Sequence, residues 1–430
     1  MKIKYYFLSV LVILQGSLMS ANIKHIEINN IKIPVIFEEQ KTLPILNLQL
    51  VFKNSGYIQD KEKSGLVSLS SKLLNEGTKE LGSTKFAQKL EENAISLNTS
   101  NGFETFVIEL SNLKDVSTKA IDLLTQLIKS PNYTKDTLEK LKTLQIGSLK
   151  RKENDFDYVS RNQLSSILFK GTALENPSSG TIDSISKIEL KDIENFISET
   201  ICLSNLIIVV GGDFEFKELE NLIKPMLSTM KVGKAKELEK IKFESKSEEK
   251  TLIKDTQQAY IYFGSSFNVD SKDEDNYKAK VASFILGGSG FGSRLMEEIR
   301  VKRGLAYSAY GYISINKSYS YFNGYLQTKN ESAKEAEELV KTLVKDFVKN
   351  GVTKEELKAA KNFLTGSEPL RSETLSQRLN KSFLQYYRGL DQDYSQKELE
   401  KIQNLKLKDL NEYIKSHNEI NNLTFSIVRK

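Results

Sequence analysis

Apolar and polar positions along the chain switch between two periods, and the switches occur in the same order twice. Residues 45–52 (ILNLQLVF) read as a strand with Ser55 and Gly56 behind it, and residues 259–263, followed by Ser265, Ser266 and Phe267, answer them. A charged turn follows each, then a helix, over 65–75 in the first half and 275–286 in the second. A pair of alternating strands comes next in each half, within 95–110 and within 305–327, and then a helix, over 119–129 and 334–349. Tyr133-Thr134-Lys135 and Val352-Thr353-Lys354 each open a long charged helix. Lys135 and Lys354 lie 219 residues apart, and Gly171 and Gly389 lie 218 apart, so the register drifts by one residue over that stretch. Regularity of this kind marks an internal duplication. Residues 206–210 with the turn Gly211 to Phe214 close the first half as a buried strand, and residues 423–428 close the second.

Strands and helices are mixed without a regular strand–helix–strand alternation, which predicts an α+β fold. Each duplicated domain is expected to be a mainly antiparallel sheet with helices packed on one face. At 430 residues the chain is long enough for two or three domains. The pattern places the first over 22–232, a polar linker rich in lysine and glutamate over 233–250, and the second over 251–430. Residues 1–21 read as a secretory signal peptide: Met1 to Lys4 carry positive charge, 5–14 are apolar, and Ser20 and Ala21 are small residues suited to cleavage. No later segment is apolar enough to cross a membrane.

Composition narrows the function. Hydrophobic residues make up 39%, charged residues 27% and prolines number 6, which is the profile of an ordered chain. The formal charge of +6 comes from 62 basic and 56 acidic residues that are interleaved, as over 234–250. No basic stripe with stacking aromatics emerges, so nucleic acid is not an expected partner. Cys202 is the single cysteine; it can form no intrachain disulfide and no thiolate cluster, and its apolar neighbours predict a buried small hydrophobe. The two histidines, His25 and His417, stand near opposite ends and read as surface residues, which leaves no set of imidazoles for a zinc site.

Two segments carry the chemistry: residues 286–307 (LGGSGFGSRLMEEIRVKRGLAY) and the run Ser68-Leu69-Ser70-Ser71-Lys72. Together they resemble the M16 zinc peptidases, the family of pitrilysin and the mitochondrial processing peptidase, and the resemblance spans about 23–430. In that family the helix after the first long strand bears H-x-x-E-H, two histidine ligands four residues apart with a glutamate base between them. The resemblance places Ser68 and Lys72 at the ligand positions, Ser71 at the base, and the third ligand within 141–151, at Ser148. Hydroxyls bind zinc poorly and an ammonium repels it, so the implied metal site is degenerate and no cofactor is expected in this chain. Serine chemistry does not replace it: an S-x-x-K pair on Lys72 would need a serine where Leu69 stands.

The second segment keeps what the first has lost. The family places an arginine and a tyrosine seven residues apart, where they hold the substrate backbone and the developing oxyanion, and Arg300 and Tyr307 match them. By spacing alone, Arg300 would be one of three basic residues at a solvated helix end and Tyr307 a core aromatic; the matching residues Ser293-Arg294-Leu295 and 303–308 favour the functional assignment. The glycines of 286–293 lack the G-K-[ST] ending of a phosphate loop and are read as a tight turn between two helices. The resemblance implies half of a clam-like chamber, acting as the non-catalytic, substrate-binding subunit of a periplasmic heterodimeric zinc metallopeptidase. The sister subunit would carry H-x-x-E-H and the zinc, and the substrate would be a peptide or unfolded polypeptide. The alternative is an inactive peptide-binding or scaffold protein, such as a homodimer, with no enzyme partner.

Overall fold

The computed structural model describes residues 21–430. The signal segment expected over 1–21 lies outside them except for Ala21, which is buried. Among the described residues, eleven strands form two sheets. The first contains β1 (Asn22–Ile28), β2 (Ile31–Glu39), β3 (Ile45–Lys53), β4 (Ser96–Asn101), β5 (Thr105–Leu113) and β6 (Leu206–Gly212), in the order β1-β2-β6-β3-β5-β4. The second contains β7 (Glu249–Ile253), β8 (Gln258–Ser266), β9 (Ala306–Ile315), β10 (Ser320–Lys329) and β11 (Thr424–Arg429), in the order β7-β11-β8-β10-β9. The β2–β6 and β7–β11 pairs are parallel and the other ladders antiparallel. The core β6-β3-β5-β4 of one sheet therefore repeats as β11-β8-β10-β9 in the other, as the duplicated pattern requires.

Helices α1 (Leu66–Leu74), α2 (Gly82–Glu91), α3 (Ser117–Lys129) and α4 (Lys135–Lys152) precede α5 (Phe156–Leu168), α6 (Ile182–Lys187), α7 (Leu190–Thr200) and α8 (Phe216–Leu227). The second half supplies α9 (Asn276–Ser283), α10 (Ala333–Asn350), α11 (Lys354–Gly366), α12 (Leu375–Arg388), α13 (Tyr394–Asn404) and α14 (Leu407–Ser416). Strand alternation decides which residues meet them. Leu46, Leu48, Leu50 and Phe52 of β3 are fully buried against the first half's helices, and Ile261 and Phe263 of β8 are buried against those of the second.

One feature of the packing is not local to either half. Helix α5 belongs to the first half by sequence but lies across β8 and β11 of the second sheet. Ser160, fully buried, donates its hydroxyl to the carbonyl of Ser426 at 2.9 Å and lies 3.1 Å from that of Tyr260. Leu168 presses on Gly264, where an added Cβ would come within 2.9 Å of its methyl group. Helix α12 makes the reverse crossing: Leu375, Leu379, Phe383 and Tyr387 cover Ile36, Val51, Ile207 and Val209 on the outer face of the first sheet. Its Arg378 pairs with buried Glu38, Nε and an Nη lying 2.8 and 2.6 Å from Oε1. The exchange explains why β6 is buried on both faces and reads as an unbroken apolar run rather than an alternating one.

The polar join between the halves runs without regular structure as far as Glu248. Glu249 and Lys250, which composition assigns to the linker, already pair with Phe425 and Ser426 as the start of β7. Cys202 is buried, as its neighbours predict.

Candidate functional site

The glycine-rich turn builds the first part of the site. Helix α9 ends in a π-helical turn, Phe284–Gly288, and Gly287 lies so close to β9 that a Cβ there would sit 2.4 Å from the Gly311 nitrogen. Gly290 and Gly292 then take positive φ angles of 67° and 90°, a backbone that side chains rarely adopt, and reverse the chain. The following helical segment carries a second π-helical turn, Met296–Val301. Leu295, Met296 and Ile299 are buried, and Arg294 is clamped by the Glu356 carboxylate at 2.6 and 2.8 Å. With three apolar residues facing the core, Arg300 faces outward.

Its surroundings differ from those of the basic residues beside it. Lys302 and Arg303 both pair with Glu298, at 2.5 and 2.6 Å. Arg300 instead lies between two aromatic rings, its guanidinium carbon 4.7 Å from the centre of Phe291 and 4.5 Å from that of Tyr307. Tyr307 is not a core aromatic; it opens the edge strand β9 and is 82% exposed. The structure thus brings together the arginine and tyrosine that the sequence singled out. It adds Phe291, 67% exposed, as the second wall. A single aromatic inside a run of glycines was the signal for it. Stacked guanidinium and phenol groups form a prepaid arrangement of hydrogen-bond donors, with fewer rotamers to lose on meeting a carbonyl oxygen.

The residues expected at the family's metal-ligand positions, Ser68, Ser71 and Lys72, lie on α1. Asp60 caps it, accepting the Gly65 and Val67 backbone N–H groups at 2.8 Å each; burial pushes its carboxyl up to about 7 against the pull of those two bonds. Ser71 is buried and donates its hydroxyl to the Thr99 carbonyl at 2.8 Å, while Ser68 is half-buried on the preceding turn. Lys72 donates to Gln145 of α4, whose own amide donates to the Ser179 carbonyl at 2.8 Å. Gln145 is the buried α4 residue that meets the metal-helix position. Ser148, the expected third position, is half-buried just beyond it, on the next turn. Helical geometry gives the reason: Leu138, Leu141, Gln145 and Leu149 form the buried stripe of α4, and Ser148 sits beside that stripe.

The field at this point is unsuited to a divalent cation. Burial, and then the nearby charge of Lys152, lower the Lys72 ammonium from its usual range. Past Ser179 a cavity of about 290 Å³ carries Lys152 and Arg161 at 4.5 and 5.9 Å from the ring of Tyr158. No cluster of three histidine, cysteine or acidic residues able to hold a metal occurs among the described residues. The histidines do not supply one. His25 lies within β1 and is exposed. His417 is not a surface residue: it stacks on Phe267 at 4.5 Å with Nδ1 2.9 Å from Glu419 Oε1. The residues present therefore do not fit zinc. Elemental analysis of the purified chain is expected to find about 0.1 zinc per chain or less, with no change of Tm on adding chelator; one tightly held zinc per chain would contradict this.

Two sheet-and-helix units with exchanged helices, a metal helix without ligands and an exposed arginine–tyrosine pair define a peptidase-type fold that has lost its own metal chemistry. The family described as Insulinase (Peptidase family M16) matches residues 35–182, and the Peptidase M16 inactive domain matches 187–364. The chain is 44% identical over 425 residues to the non-peptidase homolog YmxG of Helicobacter pylori, covering 99% of this chain and 98% of that one. The crystal structure of a peptidase M16 inactive domain from Pseudomonas fluorescens has the same fold, with a TM-score of 0.87 at 23% identity over 95% of this chain and 98% of that one. The crystal structure of a protease from Helicobacter pylori gives 0.82 at 18% identity, over 95% and 100%. This chain belongs to the M16 peptidase family, with the two-sheet architecture of one half of its clam-like chamber.

Among the described residues, no helix is long and apolar enough to cross a membrane.

Proposed function

We propose that this chain is the non-catalytic, substrate-binding subunit of a periplasmic heterodimeric M16 zinc metallopeptidase. The sister subunit carries H-x-x-E-H and its zinc; this chain supplies Arg300 and Tyr307 to the shared chamber. The observation that carries the reading is the ring-stacked, outward-facing Arg300, free of the Glu298 network that neutralises its neighbours. A guanidinium kept available in this way, beside an exposed phenol, suits a peptide carbonyl whose oxygen gains charge during hydrolysis. Helicobacter pylori provides a parallel, since it has both the non-peptidase relative and a solved protease of the same fold. The expected signal segment supports an extracytoplasmic location.

Mixing the purified chain with an H-x-x-E-H sister from the same organism tests the reading. Chelator-sensitive cleavage of an unfolded peptide is expected in the mixture at a rate at least about 100-fold above either chain alone. A sister that is fully active by itself, or a mixture that remains inert, would refute the assignment; the inert result would favour a scaffold.

A further inference from the structure

We propose that the seam between the two halves holds a binding site for a small polyvalent oxyanion of the phosphate type. The site is separate from the Arg300–Tyr307 element and does not depend on the function proposed above. A cavity of about 240 Å³ opens where the first sheet, helix α12 and two loops of the second half meet. Lys53 reaches it from the end of β3, Lys272 and Lys317 from loops, and Arg388 from the last turn of α12. No carboxylate lines it. Among the described residues, none of these four cationic groups forms an ion pair or donates a side-chain hydrogen bond. Elsewhere on this chain lysines are commonly matched to acids one helical turn away, as Lys334 and Lys341 are to Glu337 and Glu338.

The cations are also held in place. Lys317 lies 4.3 Å above the ring of Tyr387, whose hydroxyl donates to Asn54 Oδ1 at 3.1 Å. Gly389 takes a φ of 72°, and a Cβ there would come within 2.8 Å of the Lys272 ammonium, so glycine lets that head group approach the backbone. The acid that acts on Lys317 is Glu104, whose carboxylate already accepts the Ser318 backbone N–H at 2.7 Å and its hydroxyl at 2.5 Å. Burial lowers the Lys317 ammonium from its usual range; Glu104 opposes this, and the charges of Lys53, Lys272 and Lys240 add to it. Like charges from four separate parts of the chain converge at a partly buried point, an arrangement that a bound multivalent anion would stabilise. Three point-charge ammonium groups and one planar guanidinium suit tetrahedral oxyanions carrying more than one charge. A cavity of this size admits phosphate or pyrophosphate and excludes a folded partner.

Thermal unfolding of the full chain in phosphate-free buffer tests the proposal, with ionic strength held constant by sodium chloride. Because the anion would bind only the assembled seam, pyrophosphate and inorganic phosphate are expected to raise Tm saturably, pyrophosphate by at least about 2 °C. Citrate is expected to act more weakly. Each variant is compared with itself, with and without anion, so a change in its basal stability does not mask the result. Lys317→Gln should at least halve the pyrophosphate response, and Lys317→Gln combined with Arg388→Gln should abolish it, while Lys408→Gln, at an exposed residue that does not line the cavity, should leave it intact. A rise that follows ionic strength alone, that citrate equals, or that survives in the double variant would overturn the proposal. So would the absence of any saturable response.

Discussion

Arg300→Ala is expected to lower kcat of the proposed two-chain peptidase by about 10²- to 10³-fold, the range observed when one oxyanion donor is removed from a preorganised site. The expectation follows from what surrounds the side chain. Leu295, Met296 and Ile299 fix the helical segment from the core side, so truncating Arg300 removes a donor without opening a cavity. Basal stability should change little, because Arg300 is half-buried on the outer side of its segment and forms no ion pair among the described residues, and a substitution outside the core typically contributes within about 0.5 kcal/mol. Tyr307→Phe retains the ring that stacks on Arg300 and removes only the hydroxyl; its expected loss is smaller, about 10- to 100-fold. Arg300→Lys should not rescue activity, since a point-charge ammonium cannot replace a planar group between two rings. Steady-state kinetics of the reconstituted pair would separate the cases: an effect on kcat marks a donor to the transition state, and an effect on KM alone marks simple peptide binding. Unchanged kinetics in both variants would remove the proposed role.

Arg378→Met should destabilise the fold strongly, costing about 3–5 kcal/mol. Glu38 is 4% exposed, and its carboxylate meets the Arg378 guanidinium through Oε1. The other oxygen, Oε2, has no hydrogen-bond partner among the described residues. Without the guanidinium, a buried charge would be left with no counter-ion, a cost comparable to a large part of the 5–15 kcal/mol that holds an ordinary domain together. Glu38→Met combined with Arg378→Met should restore most of the loss, because an apolar pair in that layer packs against Leu375 and Leu379 without a charge to desolvate. Urea titration of the three proteins gives the comparison. A single variant losing under about 1 kcal/mol would mean that the pair does not lock α12 to the first sheet.

Much of this architecture could be read from the sequence because local pattern and tertiary environment agree. Alternation in residues 45–52 reports one buried face of β3, and the apolar run at 206–210 reports a strand covered on both sides. What covers the second side could not be read, since Ser160 and Ser426 meet across 266 residues and neither α5 nor α12 carries a signal of where it docks. The β1–β2 hairpin carries a weak apolar pattern, and its signal lies in its turn residues Asn29 and Asn30, with φ of 49° and 62°. Strand β7 was obscured by the surrounding lysines and glutamates, because an edge strand pairs through its backbone and leaves its side chains little constrained.

At the site, Arg300 and Tyr307 were legible through their motif, whereas Phe291 is marked only as a lone aromatic among glycines, which does not say what it stacks on. Stacking is set by the three-dimensional turn of the glycine loop, not by sequence spacing. The contact of Lys72 with Gln145 and not Ser148 shows the converse: counting residues from a family motif gives a position along α4 but carries no information on which face of the helix points inward.

The crossing of α5 and α12 changes what the lysine-rich join is for. Each sheet is roofed on its outer face by a helix that the other half brings, so either half produced alone would leave that face of its sheet uncovered. Cutting the backbone near residue 240 would therefore leave the two pieces clasped. The tether matters while the chain is folding, when it holds two mutually dependent partners within reach of one another; once the clasp has closed, it adds only local contacts of its own, such as Phe243 against Phe169 and the Ile241 N–H to the Ser318 carbonyl.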